Sequence, residues 1–148
     1  MKQPPSIPVL AALLFGAFAA LAAASLYPVM TRFAAEAGID EWVFIAVPSL
    51  LAGLFAFVIY RGAALRLRGI AQSLTRGLLV AILTWIAFSL LATWAWCVPS
   101  LFKGCLWHAL MLSGVLGGGQ LLLASLAAAA ITGYAIRNRG PGPGKAKE

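Results

Sequence analysis

Four stretches of the chain are apolar and free of Asp, Glu, Lys and Arg: Val9 to Met30, Trp42 to Tyr60, Leu78 to Trp96, and about Leu106 to Ile136. None alternates apolar and polar residues over segments of about ten, as barrel strands would. Each of the first three is close to the roughly 20 residues that a helix needs to cross a hydrocarbon core about 30 Å thick. In such a core no water is present to satisfy backbone N–H and C=O groups, which leaves an α-helix as the conformation for each run. The fourth run is too long for one crossing and too short for two plus a turn. It is expected to begin in the interface near Trp107 and His108 and to leave tilted or kinked around Gly117, Gly118 and Gly119.

The pattern therefore predicts an all-α integral membrane protein, a four-transmembrane-helix bundle over residues 1–139. Its spans lie at about 9–30, 42–60, 78–96 and 108–136. The segment 140–148, opening Gly140-Pro141-Gly142-Pro143-Gly144, is helix-breaking and polar and reads as a disordered cytoplasmic tail. Composition agrees: 62% of the residues are hydrophobic and only 10% charged, too few to coat a globule in water.

The formal charge of +7 sits in short segments between the apolar runs, which turns it from a hint of nucleic acid into a topology signal. No basic face interleaved with exposed aromatics is present, so nucleic acid is not an expected partner. Thr31 to Glu41 holds Arg32 against Glu36, Asp40 and Glu41. The loop from Arg61 to Gly77 holds Arg61, Arg66, Arg68 and Arg76 with no acid, and the tail after Ile136 is also basic. By the positive-inside rule the second loop and both termini face the cytoplasm, and the protein is expected to lie in the cell inner (plasma) membrane as a multi-pass protein. The arginine loop, interspersed with Leu65, Leu67, Ile70 and Leu74, sets this topology and can also lie against anionic lipid. A competing reading takes residues 1–24 as a signal peptide, with Ala22-Ala23-Ala24 before Ser25 as the cleavage site. It would leave three spans. The single basic residue Lys2 and the continuation of the apolar run to Met30 favour four.

Cys97 and Cys105 both fall in the third loop, on the non-cytoplasmic side, and an oxidising compartment there would close them into a disulfide. Quinone-linked disulfide-forming proteins of the periplasm share the four-helix layout, but their chemistry needs a second cysteine pair in the first external loop. Thr31 to Glu41 has none. A metal site from Cys97, Cys105 and His108 lacks a clear fourth ligand. Trp42, Trp94, Trp96 and Trp107 fall at the non-cytoplasmic ends of the spans as an aromatic belt.

Within the fourth run, Gly114 and Gly118 have the GxxxG spacing that lets helices approach closely, and Gln120 is the one intramembrane amide. These three are the expected helix-packing residues. The spans lack the titratable group that an ion-coupled pump requires, and small multidrug transporters depend on a carboxylate that the first helix does not have. One histidine cannot ligate haem from both sides, and no nucleophile–base set is visible. No enzyme activity, cofactor or metal is expected.

The charge-free spans, the GxxxG helix and the aromatic, disulfide-capable loop favour a non-enzymatic protein that binds another protein. It would act as a membrane-complex subunit or as an immunity protein neutralising a membrane-targeting toxin. The alternative is a small transporter or lipid-flippase subunit for an uncharged or apolar substrate, with Gln120 essential to transport. Membrane lipid and a protein partner or homo-oligomer are the expected partners.

Overall fold

Runs of Ala, Leu, Ile, Val and Phe that are apolar on every side give no amphipathic stripe, so side-chain size has to decide which face turns inward. The computed structural model describes residues 6–36, 41–61, 70–96 and 102–139, which form five α-helices. They are α1 (Ile7–Glu36), α2 (Glu41–Arg61), α3 (Ile70–Trp96), α4 (Phe102–Ser113) and α5 (Gly119–Arg139). A π-helical turn, Gly114–Gly118, joins α4 to α5. Four segments are long and apolar enough to cross a membrane: Ile7–Pro28, Trp42–Arg61, Ile70–Trp94 and Gly119–Asn138. Lys2, Arg66, Arg68, Cys97 and the 140–148 tail lie outside the described residues.

The helices form a ring in the order α1, α2, α3, α5, each packed extensively on the next and α5 closing on α1. Neighbours run antiparallel. Ser49 lies opposite Gly16 and Ala12 opposite Gly53, while Ser73 lies opposite Gly133 and Ala129 opposite Gly77. Small residues line the inside, with Ala11, Ala19, Ala52, Ala56, Ala128 and Ala129 all buried. Large apolar residues such as Leu13, Leu21, Leu50, Leu54 and Val58 are turned outward. An exposed apolar surface of this extent suits lipid rather than water.

The tightest seams are α1/α2 and α3/α5. A Cβ placed on Gly53 would stand 3.2 Å from the Ala12 carbonyl oxygen, and one on Gly77 would stand 2.5 Å from Ala129 Cβ. Around the second seam a hydrogen-bonded tie crosses three helices. Ser73 Oγ donates to the Ala129 carbonyl at 2.7 Å, and the Tyr60 hydroxyl lies 3.1 Å from the Ser73 carbonyl oxygen and 3.0 Å from its Oγ. Phe15 stacks at a tilt on Tyr60, with ring centroids 5.8 Å apart.

Three boundaries differ from those read in the sequence. α1 runs on to Glu36, so Thr31 to Glu36 is helix rather than loop. α3 begins at Ile70, so Arg76 lies in its second turn rather than in a loop. The helix continues beyond the apolar run because Ser73 and Gly77 pack against α5. The long fourth run is divided by the π turn, and the span-length segment starts at Gly119 rather than near 108.

Candidate functional site

The π turn decides the shape of one half of the bundle. C-terminal to it, α5 packs on both α1 and α3. N-terminal to it, α4 packs extensively on α3 alone. A π turn inserts one extra residue into the helical repeat and re-aims the helix that precedes it, and such turns are frequent at functional sites. Between α4 and the α1/α2 pair a wedge is left open, a cavity of about 460 Å3. That lies within the range of about 300–1,000 Å3 usual for small-molecule sites.

The sequence supports this divergence locally. Gly114 has no side chain, so the Trp85 indole lies against its backbone; a Cβ there would stand 3.0 Å from Trp85 Cζ2. Gly117 similarly leaves room for Leu26, whose Cδ1 would be 3.2 Å from a Cβ. Pro48, inside α2, also lines the cavity, and it lacks the amide that would bond the carbonyl one turn earlier.

The walls are mainly apolar. Ala19, Ala22, Ala23 and Leu26 come from α1, and Phe44 from α2 meets Phe88 from α3 edge to face at 5.9 Å. Set into them is a row of polar groups on α3 and α4. Trp85 Nε1 donates to Ser113 Oγ at 2.9 Å, and Ser113 Oγ donates to the Ala109 carbonyl at 2.6 Å. Because that proton is engaged, the Ser89 hydroxyl at 3.0 Å must be the donor to Ser113. Thr93 donates to the Ser89 carbonyl at 2.7 Å. The Trp85–Ser113–Ser89 unit is thus saturated in donors, and it ties α4 to α3.

Thr84 does not share in this. Its side chain is fully buried on the cavity wall, and among the described residues its Oγ1 has no hydrogen-bond partner. Ser49, Thr75, Thr93, Ser113 and Thr132 all donate to the carbonyl four residues back. Leaving a buried hydroxyl without such a bond costs about 1–3 kcal/mol. Thr84 is the first of the α3 residues on the wall, which run from there to Thr93, and it stands about midway along the helix.

Cys105 and His108, from α4, line the outer part of the cavity. His108 Nδ1 lies 2.8 Å from the Gly104 carbonyl, which can only accept, so Nδ1 carries a proton. No Asp, Glu, Lys or Arg lines the cavity, and no cluster of metal-ligating residues occurs among the described residues.

The residues singled out from sequence are dispersed. Gly114 and Gly117 receive Trp85 and Leu26, whereas Gly118 meets only an atom of its own helix, the Ser113 carbonyl. Gln120 lies outside the cavity, exposed, with its side-chain amide 2.8 Å from Ser25 Oγ on α1. Ser25 has one proton and is also 2.7 Å from the Ala22 carbonyl. Turning the Gln120 amide by 180° lets its NH2 donate to Ser25 while Ser25 donates to Ala22, so that each proton has one acceptor. Arg61 and Arg76 stand at the far end of the bundle from the cavity, and Arg76 Nη1 is buried without a hydrogen-bond partner among the described residues. Cys105 is half-buried and is not a free thiol, while Cys97 lies outside the described residues. Trp42, Trp94 and Trp107 are exposed at the cavity end.

Sequence reasoning gave no site role to Thr84, Ser89 and Ser113, which read as intramembrane hydroxyls able to bond their own preceding turn, and it passed over Trp85. The spacing of Trp85 and Ser89 puts both on one face of a helix, but nothing along the chain pairs that face with Ser113. No family model matches the chain, and no curated protein or solved structure matches it.

Proposed function

We propose that this is a membrane-embedded binding protein for an uncharged, largely apolar molecule drawn from the bilayer, acting as a transporter or lipid-handling subunit rather than as an enzyme. The observation that carries the reading is the cavity of about 460 Å3, apolar-walled and, among the described residues that line it, without an acidic, lysine or arginine side chain. Charged ligands would enter it unpaired, at a prohibitive desolvation cost. Apolar ligands already dissolved in lipid would not.

The reading includes an orientation. Arg61 ends α2, Arg76 lies near the start of α3 and Arg137 lies near the end of α5, which gathers basic residues at one end of the bundle. Glu36 and Glu41 close α1 and open α2 at the other end. This distribution supports both termini in the cytoplasm of a cell inner membrane, with the cavity in the outer half. Cys97 and Cys105 would then meet an oxidising compartment and form a disulfide that secures the start of α4. The expected result is a thiol count of zero before reduction and two after it, by maleimide mass tagging of the membrane-extracted protein.

To test the ligand reading, full-length protein is extracted in mild detergent and examined by native mass spectrometry beside an Ala23→Trp variant, which places an indole in the cavity. A neutral adduct that the variant loses supports the reading. Protein without adduct, or an adduct unaffected by the variant, overturns it.

A second reading has its own support. Trp42, Trp94 and Trp107 are exposed by 76%, 79% and 60% at the end where α4 diverges. Aromatic side chains of this kind anchor a helix at the interface, and they also serve as contact residues for another membrane protein. A complex subunit or an immunity protein would use that end. Cross-linking from Trp107 in intact cells should then yield one dominant protein adduct, and for immunity a deletion strain should lose in competition with toxin-producing sister cells.

A further inference from the structure

The basic end of the bundle holds a cation inside a span. Because α3 starts at Ile70, Arg76 stands about 9 Å along the helix from its first residue, within the span-length segment Ile70–Trp94. A guanidinium keeps its charge at any pH a cell meets. Arg76 Nη1 is enclosed and has no hydrogen-bond partner among the described residues, whereas Nε and Nη2 are not enclosed in this way and the side chain as a whole is half-buried. One edge of the planar fork is packed against protein and the other is open. Tyr60, close enough to Arg76 for the two to interact electrostatically, has its hydroxyl on Ser73 instead. The four acidic residues of the chain are Glu36, Asp40, Glu41 and Glu148. Glu36 and Glu41 lie at the opposite end of the bundle, with Asp40 next to Glu41 in the chain, and Glu148 follows Lys145 and Lys147 beyond α5. Among the described residues no carboxylate stands at the end where Arg76 needs one.

We infer that Arg76 anchors a lipid-phosphate site: the phosphate of an anionic phospholipid, in the leaflet at the basic end, seats on the open edge of its guanidinium. The site is separate from the cavity, and neither reading depends on the other. Three facts converge on it. A permanent charge within a span is costly unless an opposite charge meets it, and the chain places none there, so the counter-ion has to come from outside the protein. A planar guanidinium matches two phosphate oxygens at once, which a point charge does not. Finally, the long arginine stem lets a head group at the membrane surface be met from a Cα about 9 Å inside the helix start, and Arg61, exposed at the end of α2, adds a second cation at the same end. The tie from Tyr60 to Ser73 and from Ser73 to Ala129, one turn before Arg76, holds that part of α3 in place and with it the fork. A phosphate bound there neutralises the intramembrane charge and fixes the α2/α3 end of the bundle at the level of the head groups.

The test uses full-length protein, freed of lipid in dodecyl maltoside, and three probes: dioleoylphosphatidylglycerol, dioleoylglycerol, which has the same chains and no phosphate, and inorganic phosphate. By native mass spectrometry phosphatidylglycerol should give a saturable adduct that dioleoylglycerol does not give at the same concentration. Arg76→Gln should weaken it roughly tenfold or more, and Arg76→Lys, which keeps the charge but not the fork, by less. Arg137→Gln removes an exposed cation at the same end and should change it by about twofold at most. Unfolding supplies a second readout. Arg76→Gln relieves an uncompensated charge, so without lipid the variant should be at least as stable as the parent, and phosphatidylglycerol should stabilise the parent but not the variant. Equal weakening by Arg76→Gln and Arg137→Gln would reduce the site to diffuse attraction and overturn the inference, as would equal binding of dioleoylglycerol. A variant less stable than the parent without lipid would mean that Arg76 has its partner within the protein, which also overturns it. Displacement of the lipid by millimolar inorganic phosphate would overturn the lipid assignment in favour of a free phosphate ion.

Discussion

Gly77→Ala is the most direct test of the way the bundle is held together. The added Cβ would stand 2.5 Å from Ala129 Cβ and 3.0 Å from the Ser125 carbonyl oxygen. Apolar carbons rest at about 3.5–4.0 Å, so α3 and α5 must separate locally by roughly 1 Å or more. Neither contact can rotate away, because one is a Cβ fixed to the backbone and the other is backbone itself. Overpacking of this kind costs about 1–3 kcal/mol. The same displacement stretches the 2.7 Å bond from Ser73 Oγ to the Ala129 carbonyl beyond hydrogen-bonding range, which adds about 0.5–1.5 kcal/mol. Replacing a helical glycine returns about 0.4–1 kcal/mol. The net expectation is destabilisation of about 0.5–4 kcal/mol, measured by reversible unfolding in mixed micelles with tryptophan fluorescence as the readout.

Two companion variants sharpen the measurement. Gly119 has helical φ −63° and ψ −43°, and a methyl added there would meet nothing within 4 Å, so Gly119→Ala should be neutral or stabilising by up to about 1 kcal/mol. Adding Ala129→Gly to Gly77→Ala removes the 2.5 Å clash but not the 3.0 Å one, and should recover part of the loss. If Gly77→Ala proved as stable as the parent, or Gly119→Ala proved the more damaging, the α3/α5 seam would be wrongly placed.

Other expectations follow from particular contacts. Tyr60→Phe removes the hydroxyl that bonds Ser73 and should cost about 0.5–1.5 kcal/mol in the same unfolding assay, with no effect on ligand. Gly114→Val sets a side chain against the Trp85 indole, where even a Cβ would stand 3.0 Å from Cζ2, so α4 must move off α3 and the Trp85–Ser113 bond is lost. Native mass spectrometry should then show the ligand lost while the protein stays folded; retained ligand would contradict the part given to this wall. Gln120→Leu should weaken the α1/α5 contact by about 0.6 kcal/mol, at most about 1.7, and leave the neutral adduct in native mass spectrometry unchanged, since Gln120 is not among the wall residues.

By itself the sequence determined that the chain is helical and that four of its segments can cross a membrane, because length and apolarity alone settle that question when backbone groups have no water to bond. It also marked Gly117–Gly119 as the irregular place in the fourth run. Which face of each helix turns inward was decided by tertiary structure: the helices are apolar all round, and only the contact of one helix with another selects the small residues Ala19, Ala56 and Ala129 for the inside. The same holds for the upstream start of α3, where Ser73 and Gly77 look like loop residues until α5 is set against them. Thr84 is the clearest case. As a letter it is one more hydroxyl able to bond its own backbone, and only the packed structure shows it wholly buried beside the cavity with its Oγ1 unpaired among the described residues.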